Sequence, residues 1–335
     1  MSDKDCASFG AFGKVLVQGG DEPRTFDDSS ERLGLISESI RLVSPLQGRR
    51  VITGNLCQHA NAIRKHSSLI SGALVTQVGP EQLHLWLPRA MWPDAITTAS
   101  GADTYLLGND GCDYTFDMLI DRDGEIFRYN NVRVARLVLR SRSENGQQPT
   151  NEELLEMVLY FYAEEEIREN VDPVAAAWPN PEPTLGLLDE YQPYAHWEGK
   201  MFLGGKEGSG DETEVCFDNL QLSIDNRLVP IFYNSLTPKC FRSAGRVIQL
   251  GFTSPFLSDS IDIAAAAQDE ELTDSELVFT HEGGNMVTRF CFPYLKNEYR
   301  TPSIRGKGEI PLEFNFLALC TDSQGMLEVV NDHTP

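Results

Sequence analysis

The run FDNLQLSIDNRL, from Phe217 to Leu228, sets apolar Leu220, Leu222 and Ile224 against polar Gln221, Ser223 and Asp225, and breaks at Asp225-Asn226. Strict alternation predicts a strand buried on one face and wet on the other. IPLEFNFLAL, from Ile310 to Leu319, alternates in the same way, with Glu313 and Asn315 on its polar side. YTFDMLIDRDGEIFRYNNVRVARLVLRS (114–141) places Asp123-Gly124 between two β-rich runs, a strong hairpin signal. LVFTHEGGNMVTRFCFPYL (277–295) does the same at Gly283-Gly284. GPEQLHLWLPRAMW is a short helix candidate, where Pro80 suits a first helical position and Leu83, Trp86 and Leu87 share one face.

The two hairpins lie 160 positions apart, and their surroundings match. SPFLSDSIDIAAAAQ, starting beside Pro255, occupies the slot of the Pro80 helix, and GKGEIPLEFNFLAL (306–319) that of GQQPTNEELLEMVLYFYAEE (146–165). A duplicated unit follows: strands, short helix, hairpin, closing strand. One segment is contested. Thr150 with Glu153 forms a capping box, and Leu154, Val158 and Phe161 fall at helical spacing, so local rules make Glu152 to Ile167 a helix. The repeat and the β-formers of VLYFY instead predict a strand over Met157–Tyr162. The expected organisation is an arm (1–34), a first unit (35–167), a Pro/Gly-rich linker (168–212), a second unit (213–320) and a tail (321–335). The fold class is all-β with short helices. The aromatics near the end of the linker imply that it lies against something.

The net charge of −22 over 335 residues argues against a standing nucleic-acid binder or a partner of anionic membranes. Seven cysteines with no CxxC pair fit neither a zinc site nor a disulfide framework and read as reduced thiols. The start carries no signal region, and no apolar run reaches ~18 residues, so folding in a cytoplasm is expected.

Candidate chemistry is thin. LGGKEGSGDE lacks the Gly-Lys-Ser/Thr order of a phosphate loop, and DRDGE lacks the later ligands of a calcium loop. His59 and His66 have no accompanying ligand set, and no serine or cysteine has a catalytic neighbourhood. Neither metal, cofactor nor enzyme is expected. Arg133, Arg136, Arg140 and Arg142 make a basic stripe. DNA contact is one reading of it; salt bridges within or between subunits are the preferred one.

EYQPYAHWEGKMFLGG, then FDNLQLSIDNRL with YNSL, then TPSIRGKGEIPLEFNF and a closing VVND form an ordered series that resembles the tail tube proteins of long-tailed bacteriophages, in the members with two tandem tube domains. The resemblance implies two β-sandwich domains, each with a flanking helix, whose four wall strands join a continuous barrel when chains assemble. It implies trimeric rings of pseudo-sixfold symmetry, stacked into a hollow tube of the virion that conducts DNA. The implied partners are further copies of the chain, a tape measure protein in the lumen, and terminator and tail-tip proteins at the ends.

Open sheet edges are a hazard unless a neighbour pairs with them, and head-to-tail contacts close into rings. Three chains of −22 would bring −66 to each ring, and an acidic wall would repel duplex DNA at close range. Gln221, Ser223, Asp225, Glu313 and Asn315 are therefore candidate lumen-facing residues, with an outward polar face as the open alternative. A two-domain β-sandwich binding or decoration module is the competing reading.

Overall fold

The computed structural model describes residues 14–20, 24–27, 30–34, 36–44, 46–48, 63–65, 67–99, 101–108, 114–141, 154–180, 193–255, 272–282, 286–298, 311–320 and 325–332. Among the described residues the chain is all-β apart from one α-helix and short turns, including a 3-10 turn at His196–Glu198. The first half runs through β1 (Lys14–Gln18), β2 (Glu31–Leu33), β3 (Ser37–Glu38), β4 (Arg41–Val43), β5 (Leu46–Gly48), β6 (Ile63–Lys65) and β7 (Leu69–Gln77). Helix α1 (Pro80–Met91) follows, then β8 (Ile96–Ala99), β9 (Ala102–Leu106), β10 (Phe116–Asp121), β11 (Ile126–Ser141), β12 (Glu156–Ala163) and β13 (Glu165–Arg168). The second half comprises β14 (Gly199–Leu203), β15 (Thr213–Val215), β16 (Asp218–Asp225), β17 (Leu228–Ile231), β18 (Cys240–Ser243) and β19 (Val247–Pro255). It ends with β20 (Leu272–Thr280), β21 (Val287–Asn297), β22 (Pro311–Leu319) and β23 (Glu328–Asp332).

One antiparallel plan is laid down twice. In the first half β2, β1, β10, β11 and β13 pair in that order; in the second β15, β14, β20, β21 and β23 do. A second layer runs β4, β7, β12, β11 in one half and β16, β19, β22, β21 in the other. β11 and β21 each belong to both layers. β11 passes between them at a bulge between Val134 and Arg136, with Asn131 at φ 51°, and a bulged strand is how a chain turns the corner of a sandwich.

The halves are joined twice. Six residue pairs link β11 to β16, from Arg136↔Asp225 to Ser141↔Leu220, and β9 pairs with β23 from Leu106↔Glu328 to Ala102↔Asp332. The inward residues form one continuous core. Trp86 meets Phe116 edge-on at 5.6 Å and Phe161 at 5.8 Å in the first half, while Phe252, Phe314 and Phe316 stack in the second, with closest centroids 4.9 Å apart. Rings in such offset and edge arrangements add about 0.5–1.5 kcal/mol beyond their buried area.

Local signals explain several elements. Asp123 (φ 57°) and Gly124 (φ 87°) both take left-handed backbone, and Arg122 N–H donates to Glu125 O at 2.9 Å, which makes the two-residue primed turn that closes β10 onto β11. Pro80 starts α1, and Gln82 Oε1 accepts the Gly79 N–H at 2.8 Å. Met157–Tyr162 is strand, inside β12. The capping box yields here to long-range pairing: Val158 faces Val138 on one side and Val75 on the other.

The segments expected to flank and link the two units carry strands of their own. The arm contains β1, whose Val15, Leu16 and Val17 are fully buried between β10 and β2. The linker contains Tyr194, buried with its hydroxyl 2.9 Å from Thr288 Oγ1, and the whole of β14. The tail contains β23. Each is a short run that pairs on one side with a strand far away in sequence, so periodicity alone could not mark it. The segment after Pro255, expected to be helical, and the Gly283-Gly284 turn lie outside the described residues, as does Arg142.

Candidate functional site

Directly opposed residues of an antiparallel sheet share a face, so the polar face of the shared sheet can be read across the strands. Gln77, Glu156, Arg140, Gln221, Gly251 and Asn315 form one row. Val75, Val158, Val138, Ser223, Gln249, Leu317 and Lys296 form the next, and Ala73, Tyr160, Arg136, Asp225 and Val247 a third. Glu313, opposite Thr253, continues the pattern. All five predicted wet-face residues therefore lie on one continuous face that crosses from the first half to the second.

Gln221 is exposed, and Asp225, Glu313 and Asn315 are half-buried. Ser223 departs from expectation. It is 2% exposed, and its Oγ accepts a hydrogen bond from Arg136 Nε at 2.9 Å across the joint. Basic and acidic groups share this face: Arg136, Arg140 and Lys296 stand among Glu156, Asp225 and Glu313. Long basic side chains reach over neighbouring strands here and cover part of the polar surface. Over the second half the face forms a groove of about 740 Å³ lined by the polar Asn219, Gln221, Gln249, Thr253, Lys296, Glu298, Glu313 and Asn315.

The arginines divide by role. Arg140 reaches Glu156 Oε2 with both Nε and Nη2 at 2.8 Å. Arg136 bonds Ser223 and lies 5.9 Å from the Tyr160 ring centre. Arg133 is buried, and its Nη1 donates to the Phe241 carbonyl at 3.3 Å. Phe241 belongs to the β17–β18 hairpin of the second half, which folds back over the first half. Its ring stacks on Tyr162 at 5.5 Å, and Ser68 N–H bonds the Leu236 carbonyl at 2.7 Å. The expected internal ion pair is thus made by Arg140, while Arg136 and Arg133 bind across the joint between the halves.

Ser141 Oγ and His196 Nδ1 lie 2.9 Å apart, but both residues are buried and His196 Nε2 faces the Phe217 carbonyl at 3.2 Å. His84, Asp103, Tyr105 and Thr98 form a cluster that sequence spacing gave no sign of. Asp103 accepts from Thr98 at 2.6 Å, His84 Nδ1 lies 3.0 Å from it, and burial beside this carboxylate pushes the Tyr105 phenol far above its usual range. The Glu212 carboxyl is held below its ordinary range by its own backbone N–H and by those of Gly208 and Gly210, so the glycine loop is filled by its own acid. Among the described residues no group of His, Cys, Asp or Glu could hold a metal ion, and no helix is long and apolar enough to cross a membrane.

No protein-family model and no curated protein matches the chain.

Proposed function

We propose that the chain is a self-assembling structural subunit of a hollow tube, of the kind that forms the tails of long-tailed bacteriophages. The observation that carries this reading is the shared polar-face sheet. The last wall strand of the first half, β11, pairs with the first wall strand of the second, β16. The same kind of joint, repeated between the Lys296–Asn297 end of β21, which has a strand on one side only among the described residues, and β3–β4 of the next chain, continues the sheet around a ring. Supporting it, Ile36, Leu42 and Val43 along that first edge are 51%, 38% and 44% exposed, apolar positions that a neighbouring strand would cover.

Each chain offers two sets of four wall strands. Three chains close a barrel roughly 45–50 Å across from the spacing and tilt of barrel strands, wide enough for a duplex. The polar face lines the bore, where amides and paired charges offer DNA or a tape measure protein no basic surface to bind. Stacked rings, capped by terminator and tip proteins, complete the particle, made in the host cytoplasm and residing in the virion.

A second reading has one observation in its favour. The amide-lined groove beside Gln221 and Asn315 has the size of a ligand cleft, as a binding or decoration module would need. Negative-stain electron microscopy and native mass spectrometry of the purified full chain separate the two. Rings of three chains, or tubes, support the tube subunit; compact single-chain particles at every concentration, with no ring on adding tail-tip components, would discard it for the binding module.

A further inference from the structure

Pairing of β11 with β16 does not by itself fix one register, because a slip of two residues returns every leucine to the inward face. Two polar side chains at this joint remove the ambiguity. Asn226, the residue after β16, is wholly buried. Its backbone N–H donates to Ala135 O at 2.9 Å, its Nδ2 donates to Ala90 O at 2.9 Å and Val134 O at 3.1 Å, and its Oδ1 accepts from Arg246 Nε at 2.6 Å. Arg246, the residue before β19, donates from Nη1 to Gly108 O at 2.6 Å and lies 4.8 Å from the Trp92 ring centre. Ala90 O belongs to the last turn of α1, whose carbonyls the helix itself cannot satisfy.

Asn226 and Arg246 come from the second half; every group their side chains bind, apart from each other, comes from the first. A slipped strand would strand several buried carbonyls and a buried guanidinium at once, and unpaired buried groups are the costly case. Burial already pushes Arg246 down to about 10.

The first half has corresponding positions. Val43 faces Leu69 at the start of β7 as Asp225 faces Val247 at the start of β19, so Ser44 and Ser68 stand where Asn226 and Arg246 do. Ser44 is exposed, and the Ser68 hydroxyl donates to Leu236 O at 3.3 Å. Neither side chain can make the branched set of bonds.

We infer that Asn226 and Arg246 are a register key that seats the leading strand of the second half on a first-half surface, and that the leading edge of the first half carries no such key among the described residues. Resting on the tube reading, the two kinds of joint in a ring are then unlike. The keyed joint lies inside each chain and stays shut, and the keyless joint lies between chains and is the one formed at assembly. A buried asparagine fixing strand or helix register at a cost in stability has precedent in coiled coils.

The test uses the full chain with cysteine pairs across the joint: Val138→Cys with Ser223→Cys, which face each other, and Val138→Cys with Gln221→Cys, which are two residues out of step. Mild oxidation and peptide mass mapping read the register. In the otherwise unaltered chain the facing pair cross-links and the offset pair does not. With Asn226→Leu and Arg246→Met added, the offset pair gains at least tenfold while far-ultraviolet circular dichroism retains the strand signal. An unchanged register, with only a lower Tm, would overturn the key. If that double variant does not fold, Arg246→Lys alone keeps the charge and loses the planar fork; it should give an intermediate gain, and no gain would be equally fatal. Failure of the parent chain to form rings would remove the tube reading yet leave this register measurement valid.

Discussion

β4 and β16 hold the same place in the two halves, yet they differ in nearly every local respect. β4 spans three residues, all exposed; β16 spans eight, with Leu220, Leu222 and Ile224 at 1% exposure or less. The difference follows their neighbours. β16 has a strand on each side, β11 and β19, whereas β4 pairs with β7 alone among the described residues. Strand length and burial thus track whether an edge is filled, and under the tube proposal the short, apolar, exposed β4 is the edge a neighbouring chain would cover.

That comparison can be broken most forcefully by placing a charge in each strand. Leu222→Asp puts a carboxylate into a fully buried position opposite Leu139 and Leu250, and should cost more than about 4 kcal/mol, enough to unfold the shared sheet. Leu42→Asp should cost the isolated chain under about 0.5 kcal/mol while abolishing ring formation. Urea titration followed by circular dichroism gives both numbers. Comparable losses at the two positions would show that β4 is already covered and end the argument from exposure.

The hairpins that follow these strands sharpen it further. β17–β18 lies across the first half, and Phe241→Ala removes the Tyr162 stack and packing against Trp92 and Leu228. A loss of about 3 kcal/mol is expected for a buried ring of this kind. Chemical denaturation is the check, and a loss below about 1 kcal/mol would mean that the hairpin merely rests on the first half.

Much of this was legible in the chain. The alternation of β16 and β22 gave their faces, Asp123-Gly124 gave a turn, and the repeat decided β12 against its own capping box. What escaped shares a physical cause. β1 is a five-residue strand with Val15, Leu16 and Val17 all buried, so it has no alternation to detect; β14 hides in a glycine- and proline-rich stretch; β23 follows a loop near the end. Each is held on one side by a nearby strand and on the other by a partner more than sixty residues away. Asn226 was legible only as the place where an alternating run stops. Its role depends on carbonyls from α1 and β11, and no sequence window contains both.

The turns provide a smaller test. Gly124 has open space where a Cβ would go, so Gly124→Ala should cost only the strain of its φ of 87°, about 1–2 kcal/mol. Asp123→Asn, which tolerates the same backbone region, should be neutral within about 0.5 kcal/mol. Thermal melts of the two variants separate turn geometry from packing; an alanine variant as stable as the parent would mean that β10 and β11 hold their register without help from the turn.

The smallest effect belongs to the Arg140–Glu156 pair, which links β11 to β12 on the polar face. Arg140 is about half exposed, so solvent screens the pair, and its double-mutant coupling should lie near 0.5 kcal/mol. It should also fade as salt is raised from 0.05 to about 0.5 M, where the screening length shrinks towards 4 Å. Assembled rings offer the revealing contrast. If the polar face lines a narrow bore, the pair gains neighbouring charges from other subunits and its coupling should rise on assembly; if that face looks outward, the coupling should be the same in ring and free chain. Measuring Arg140→Met, Glu156→Gln and the double variant in both states turns the weakest interaction on the sheet into a report on which side of the wall it occupies.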